Sequence, residues 1–131
     1  MDESILNTIK HMLGLEPDYT AFDTDILVLI NSAFSVLYQL KVGTKEPFRI
    51  EDDSAVWSDF VSDDRKLEMV KEYIYISCRI VFDPPSSSYV LTAYKERKDE
   101  IEWRAKISSE FYPIEDTTTN ASSEEDEQDG N

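Results

Sequence analysis

Histidine and cysteine are the side chains most readily recruited as bases, nucleophiles and metal ligands near neutral pH. Each occurs once, as His11 and Cys78. One of each cannot build a Cys/His zinc site, and a lone histidine leaves no convincing serine–histidine triad or papain-like pair. Cys78 lies inside an apolar run, with Arg79 beside it in sequence but pointing elsewhere on a helix, so it reads as a buried structural thiol. His11 reads as a residue on the polar side of a first helix. The glycines stand isolated at positions 14, 43 and 130, so no glycine-rich loop is available to cradle phosphate. Acid pairs occur at Asp52/Asp53 and Asp63/Asp64, but 28 acids in 131 residues make such pairs common by chance. Each would also need a cleft and a raised pKa to act as acid or base. The run Glu51-Asp52-Asp53-Ser54 lacks the loop glycine and terminal glutamate of a calcium-binding helix-loop-helix. No enzyme activity, catalytic residue, cofactor or metal site is therefore expected.

The charge balance narrows the partners. The net charge is −15, and seven of the acids fall in residues 115–131, which hold no base. The remaining 21 acids against 13 bases leave the body near −8. Sequence-independent nucleic-acid binding draws on Lys and Arg displacing counterions from phosphates, so this chain is a poor candidate for it. Anionic membrane surfaces are disfavoured for the same reason. No apolar stretch reaches the roughly 20 residues needed to span a bilayer. The acidic, interrupted N-terminus does not read as a secretory signal, and a single cysteine fits a reducing compartment. Synthesis as a soluble cytoplasmic protein is expected, and the glycosylation-like Asn120-Ala121-Ser122 is read as chance.

The elements that would position these residues are helical. Ile5, Ile9, Met12 and Leu13 share one helical face, predicting a first, short helix over residues 4–13 that ends at Gly14 before Pro17. Asp23 or Thr24 is suited to cap a second helix, whose stripe is Ile26, Ile30, Ala33, Phe34, Leu37 and Leu40 and which Gly43 closes. Residues 44–53 read as a loop in which Phe48-Arg49-Ile50 could extend and pair with a neighbouring chain. One or two helical turns follow over residues 54–60, presenting Trp57 and Phe60. A third helix over residues 64–82 carries two stripes, one of Leu67, Val70, Ile74, Cys78 and Val81, the other of Met69, Tyr73, Ile76 and Ile80. Asp83-Pro84-Pro85 reads as the cap and first turn of a fourth helix running to about Ser109. Its apolar positions (Val90, Tyr94, Ile101 and Ala105) are sparse and residues 95–100 are all charged, so it is expected to project, with one narrow stripe packed and the remainder wet or facing a partner.

The expected fold class is thus all-α: a small helical bundle of three long helices plus a short N-terminal helix, with a long projecting C-terminal helix and a disordered acidic tail. The helical domain is placed at residues 1–112 and the tail, with almost nothing to bury, at 113–131. Aromatics cluster near element ends. Some cap the core of any small bundle, but aromatics are also enriched at the buried centres of protein contacts. The candidate interface is Trp57, Phe60, Trp103, Ile107, Phe111 and Tyr112.

Specific segments carry a resemblance. Asp23-Thr24-Asp25-Ile26-Leu27, Ile30-Asn31-Ser32-Ala33-Phe34 and Gln39-Leu40-Lys41-Val42-Gly43 resemble the second helix of head–tail connector proteins of long-tailed double-stranded-DNA bacteriophages. Trp57-Ser58-Asp59-Phe60 is similar to the short segment that follows it. Val70-Lys71-Glu72-Tyr73 and Phe82-Asp83-Pro84-Pro85-Ser86-Ser87-Ser88 resemble the third helix and its proline turn. Glu100-Ile101-Glu102-Trp103-Arg104 resembles the end of the last helix. The likeness spans residues 1–107. One departure is Lys41, where the family pattern tends to have glycine, so the second helix is expected to run on.

The resemblance implies a non-enzymatic adaptor in the neck of the virion. It would form a ring matching the twelve-fold portal, bind the portal protein above and a stopper or tail-completion protein below, and line a channel through which DNA passes without specific binding. An acidic wall suits such a conduit, because like charge keeps the polyanion from sticking. The alternative reading is an acidic DNA mimic or regulatory protein that binds a host nucleic-acid enzyme. It would need carboxylates at phosphate-like spacing on one surface, and much of the acid surplus lies in the tail.

Overall fold

The computed structural model describes residues 3–111, with side chains to Ser108. Four α-helices follow in order: α1 (Ile5–Met12), α2 (Asp23–Gln39), α3 (Asp64–Phe82) and α4 (Ser88–Phe111). A single 3-10 turn, Trp57–Asp59, sits between α2 and α3. Among the described residues there is no strand. One antiparallel bridge joins the start of α1 to the 3-10 turn, with Ile5 N–H donating to Ala55 O at 2.9 Å and Trp57 N–H to Glu3 O at 3.2 Å.

α1 starts where Ser4 accepts a hydrogen bond from the Asn7 N–H, and it buries Ile5, Leu6 and Ile9 against α2 and α3. Met12 is exposed instead, so the buried face is rotated towards Leu6 relative to the expected stripe. α2 buries Ile26, Ile30, Ala33, Phe34 and Leu37 as its spacing predicts. Its cap differs from expectation: Phe22 is the N-cap and makes no side-chain bond to the first turn. Asp23 is inside the helix because its carboxylate is taken by Lys10, at 2.8 Å. That lysine is only 1% exposed and also donates to Pro17 O at 2.9 Å, fastening the loop between α1 and α2.

Both early helices end in the same left-handed turn. After α1, Gly14 (φ 84) donates to His11 O and Leu15 to Lys10 O. After α2, Lys41 (φ 64) donates to Tyr38 O and Val42 to Leu37 O. These are the paired bonds of the Schellman motif, which satisfies the last carbonyls of a helix. α2 therefore does not run on through Lys41. The lysine holds the left-handed position itself, and Gly43 (φ 98) adds a second reversal beneath the ring of Phe60.

The extended piece around Ile50 is pinned within the chain. Asn31 Oδ1 accepts from Ile50 N–H at 2.8 Å, and Asn31 Nδ2 donates to Ile50 O at 2.9 Å. The side chain of α2 thus supplies both bonds that a neighbouring strand was expected to supply.

α3 has the expected bounds, with Asp63 as its cap accepting from Arg65 N–H at 2.9 Å. It buries Leu67, Val70, Tyr73, Ile74, Ile76 and Cys78. Val81, expected in the buried stripe, is 65% exposed because the helix reaches the end of the body there. Asp83 closes α3 rather than opening α4: its N–H donates to Arg79 O, and its carbonyl accepts from Arg79 Nε at 2.5 Å. The start of α4 is displaced to Ser88, with Ser87 accepting from Val90 N–H through its hydroxyl and from Leu91 N–H through its carbonyl.

Candidate interaction surfaces

Trp57 and Phe60, expected as interface anchors, belong to the core of the described chain. Trp57 is fully buried, with its indole N–H donating to Thr8 Oγ1 at 3.1 Å and Lys71 Nζ 5.8 Å from its ring. Phe60 closes a triad with Phe34 and Phe48, whose ring centroids lie 4.6, 5.0 and 5.1 Å apart. The physical reason is local: the 3-10 turn points both rings inward, where α2 and the Ile50 segment leave room for them.

The late aromatics divide differently. Trp103 projects from α4 and is 63% exposed, while Ile107, one turn on, is half-buried. Phe111 is the last residue of α4, its side chain beyond those described. Tyr112 and the acidic tail expected at 113–131 lie outside the described residues.

The charged middle of α4 faces two ways: Lys95, Glu96, Asp99 and Glu100 are exposed, as expected, while the half-buried Arg97 and Lys98 form part of the seam with α3. Arg97 grips Glu72 with two bonds of 2.7 and 2.8 Å and reaches Glu100 at 2.9 Å. The Tyr73 hydroxyl donates to Glu102 at 2.7 Å, and Lys98 pairs with the same carboxylate at 3.1 Å while lying 5.5 Å from the Tyr73 ring. Arg79 donates to the Tyr75 hydroxyl at 2.8 Å and sits 6.0 Å from the Tyr94 ring. Among the described side chains of α4, Ile101 and Ala105 are the buried apolar residues. The Arg97 guanidinium holds the Glu72 carboxyl below its ordinary value, and burial together with Glu102 pushes the Tyr73 hydroxyl up. Burial alone pushes the Cys78 thiol up to about 12, which leaves essentially no thiolate to react near neutral pH.

A second apolar surface had no signal in the spacing. At the end of the body where α2 begins and α3 finishes, Tyr19 and Phe22 pack edge to face at 5.8 Å and Phe22 and Phe82 at 5.2 Å. Tyr19 and Phe22 themselves stay exposed, as does Val81 next to Phe82, and Tyr89, at the start of α4, is 83% exposed. These residues fall at the ends of different elements, so no single periodic stripe contains them. A groove of about 440 Å³ adjoins this end between α2, α3 and α4, floored by Leu29, Ala33, Val36, Ile80 and Val81, with Lys95 on its lip. Tyr89 and Trp103 are 14 residues apart on α4, about 21 Å along the helix axis. Apolar surface is thus presented at two well-separated places.

The described residues thus combine a filled helical core with exposed rings at Tyr19, Phe22, Tyr89 and Trp103. The family model of phage connector proteins matches residues 5–111, and the chain belongs to that family. It is a structural protein of the bacteriophage head–tail connector type, located in the virion. No curated protein and no solved structure matches the chain. Among the described residues no helix is long and apolar enough to cross a membrane.

Proposed function

We propose that this chain is the ring-forming adaptor of the connector, seated beneath the portal protein and receiving the stopper or tail-completion protein on its other side. Copies would close into a ring matching the twelve-fold portal, with DNA passing through the lumen without specific contacts. The observation that supports an adaptor, which must grip two different neighbours, is the pair of aromatic surfaces about 21 Å apart along α4 on a core complete without either. Trp103 and Ile107, with Phe111 and Tyr112 continuing the same end, are the proposed anchor towards one neighbour. The surface around Phe22 and Tyr89 is the proposed contact with the other. The helical domain is taken to end at residue 112, with residues 113–131 as an acidic tail not needed for the subunit's fold.

Truncating a large anchor at an interface centre typically costs about 2 kcal/mol or more in binding. Trp103→Ala and Tyr89→Ala remove exposed rings, so each should leave the melting of the free chain nearly unchanged. Each should also lower incorporation into portal-containing heads, measured by negative-stain imaging and quantified in purified particles. Variants that fold and still assemble with unaltered affinity would sink the assignment of both surfaces.

A further inference from the structure

We infer that the groove between α2, α3 and α4 is the seat for residues 112–116 of a second copy of this chain, an inference that rests on the ring reading above. The groove is apolar at its floor and polar at its lip. Leu29, Ala33, Val36, Ile80 and Val81 form the floor, and Lys95 and Asp99 stand at the α4 side. Lys98 also lines it but is engaged by Glu102, whereas Lys95 makes no ion pair among the described residues. At about 440 Å³ the groove is large enough for a few side chains, being within the size range of pockets that hold small ligands.

The chain carries a segment of matching chemistry. Tyr112-Pro113-Ile114 is the one apolar run after α4, and Glu115-Asp116 follows it directly. The three apolar side chains suit the floor, and the two carboxylates suit Lys95. Lys95 stands one turn from Asp99 on α4 and makes no ion pair among the described residues, which leaves a cation on this lip for an acidic segment to meet.

Chain length decides which copy supplies the segment. α4 ends at Phe111, 12 residues beyond Asp99 and 16 beyond Lys95, or about 18–24 Å along the helix axis. Tyr112 to Ile114, even fully extended, reaches only about 10 Å from that end. The apolar run therefore cannot return to its own groove. It can enter a neighbour's, and because tail and groove are different patches, the contact is head-to-tail, the kind that closes into rings.

The test is disulfide trapping between full-length copies. One copy carries Ile114→Cys and the other, distinguishable by a size tag, carries Val36→Cys. Cys78 can stay, since its buried thiol will not compete. The copies are mixed at millimolar concentration and oxidised. The expected result is a heterodimer band that is lost when Ile80→Asp is added to the Val36→Cys copy, with that variant's helical circular dichroism retained. No heterodimer, or one unaffected by Ile80→Asp, overturns the inference, as does a chain carrying both cysteines that closes only on itself. Incorporation of the untrapped variants into heads, scored in parallel, separates this outcome from failure of the connector reading. Heads that complete their necks without any trapped pair would remove the groove contact while leaving the adaptor role standing.

Discussion

The three left-handed positions of the helix ends provide a test in which the same energy term appears with opposite signs. A side chain in the left-handed region costs roughly 1–2 kcal/mol relative to glycine, offset by about 0.5–1 kcal/mol because glycine loses more backbone entropy on folding. At Gly14 an added Cβ would meet nothing within 4 Å, so Gly14→Ala exposes only the conformational term and should lose about 1 kcal/mol. At Lys41 the side chain is exposed, the backbone bonds to Tyr38 and Leu37 carbonyls do not involve it, and φ is 64. Lys41→Gly should therefore gain about 0.5–1 kcal/mol, or roughly 2–4 °C in melting temperature for a fold of this size. At Gly43 the same φ penalty is joined by overlap with the Phe60 ring, itself wedged between Phe34 and Phe48. Gly43→Ala should cost about 3 kcal/mol or more. Urea titration of the three variants beside the parent chain, with shared slopes, measures all of these. A Lys41→Gly variant less stable than its parent, alongside a neutral Gly14→Ala, would show that the left-handed turns are not what ends these helices.

Other substitutions probe the rest of the body. Asn31→Ala leaves both the N–H and the carbonyl of buried Ile50 unpaired and should cost about 2–4 kcal/mol by denaturant melt; a loss under about half a kcal/mol would mean that the Ile50 segment is held by packing alone. Because Arg97 lowers the folded-state pKa of Glu72, its stabilisation is present above the unfolded value near 4.5 and fades as pH falls through the depressed one. Both partners are more than a third exposed, so screening keeps the effect below about 1 kcal/mol, and Glu72→Gln should flatten that part of the acid limb without moving the neutral-pH midpoint by more than this. Cys78 should resist a thiol reagent at pH 8 in the folded chain and react only at the rate of unfolding; rapid labelling with native circular dichroism retained would contradict its burial.

Periodicity carried the helices well because most of the buried positions of α2 and α3 recur at three- and four-residue steps on one element. It failed wherever one side chain answers a backbone group or charge far away in sequence. Asn31 looks like a polar interruption of an apolar stripe until Ile50 is beside it. Lys10 reads as a solvated lysine until Pro17 O and Asp23 close over it. The start of α4 was misplaced because Asp83 is equally suited to cap a helix or close one, and only Arg79 decides between them. Of the candidate interface, Trp103 stands out in the open, while Trp57 and Phe60 are drawn inward by a three-residue turn whose direction depends on α1 and α2. The exposed end around Phe22 and Tyr89 is assembled from three elements and has no pattern within any of them.

The seam between α3 and α4 makes the subunit mechanically uneven. α2 and α3 meet through aliphatic and aromatic surface that salt does not weaken, whereas α4 is held, among its described side chains, by half-exposed charges around two buried apolar residues, Ile101 and Ala105. Between about 0.1 M and 1 M salt the screening length falls from about 10 Å to about 3 Å, which erodes the second kind of attachment far more than the first. Amide exchange along α4 should therefore quicken with ionic strength while exchange in α2 and α3 holds. In the proposed ring, a helix that lets go before its body does would allow copies to take up small differences in tilt without any of them unfolding.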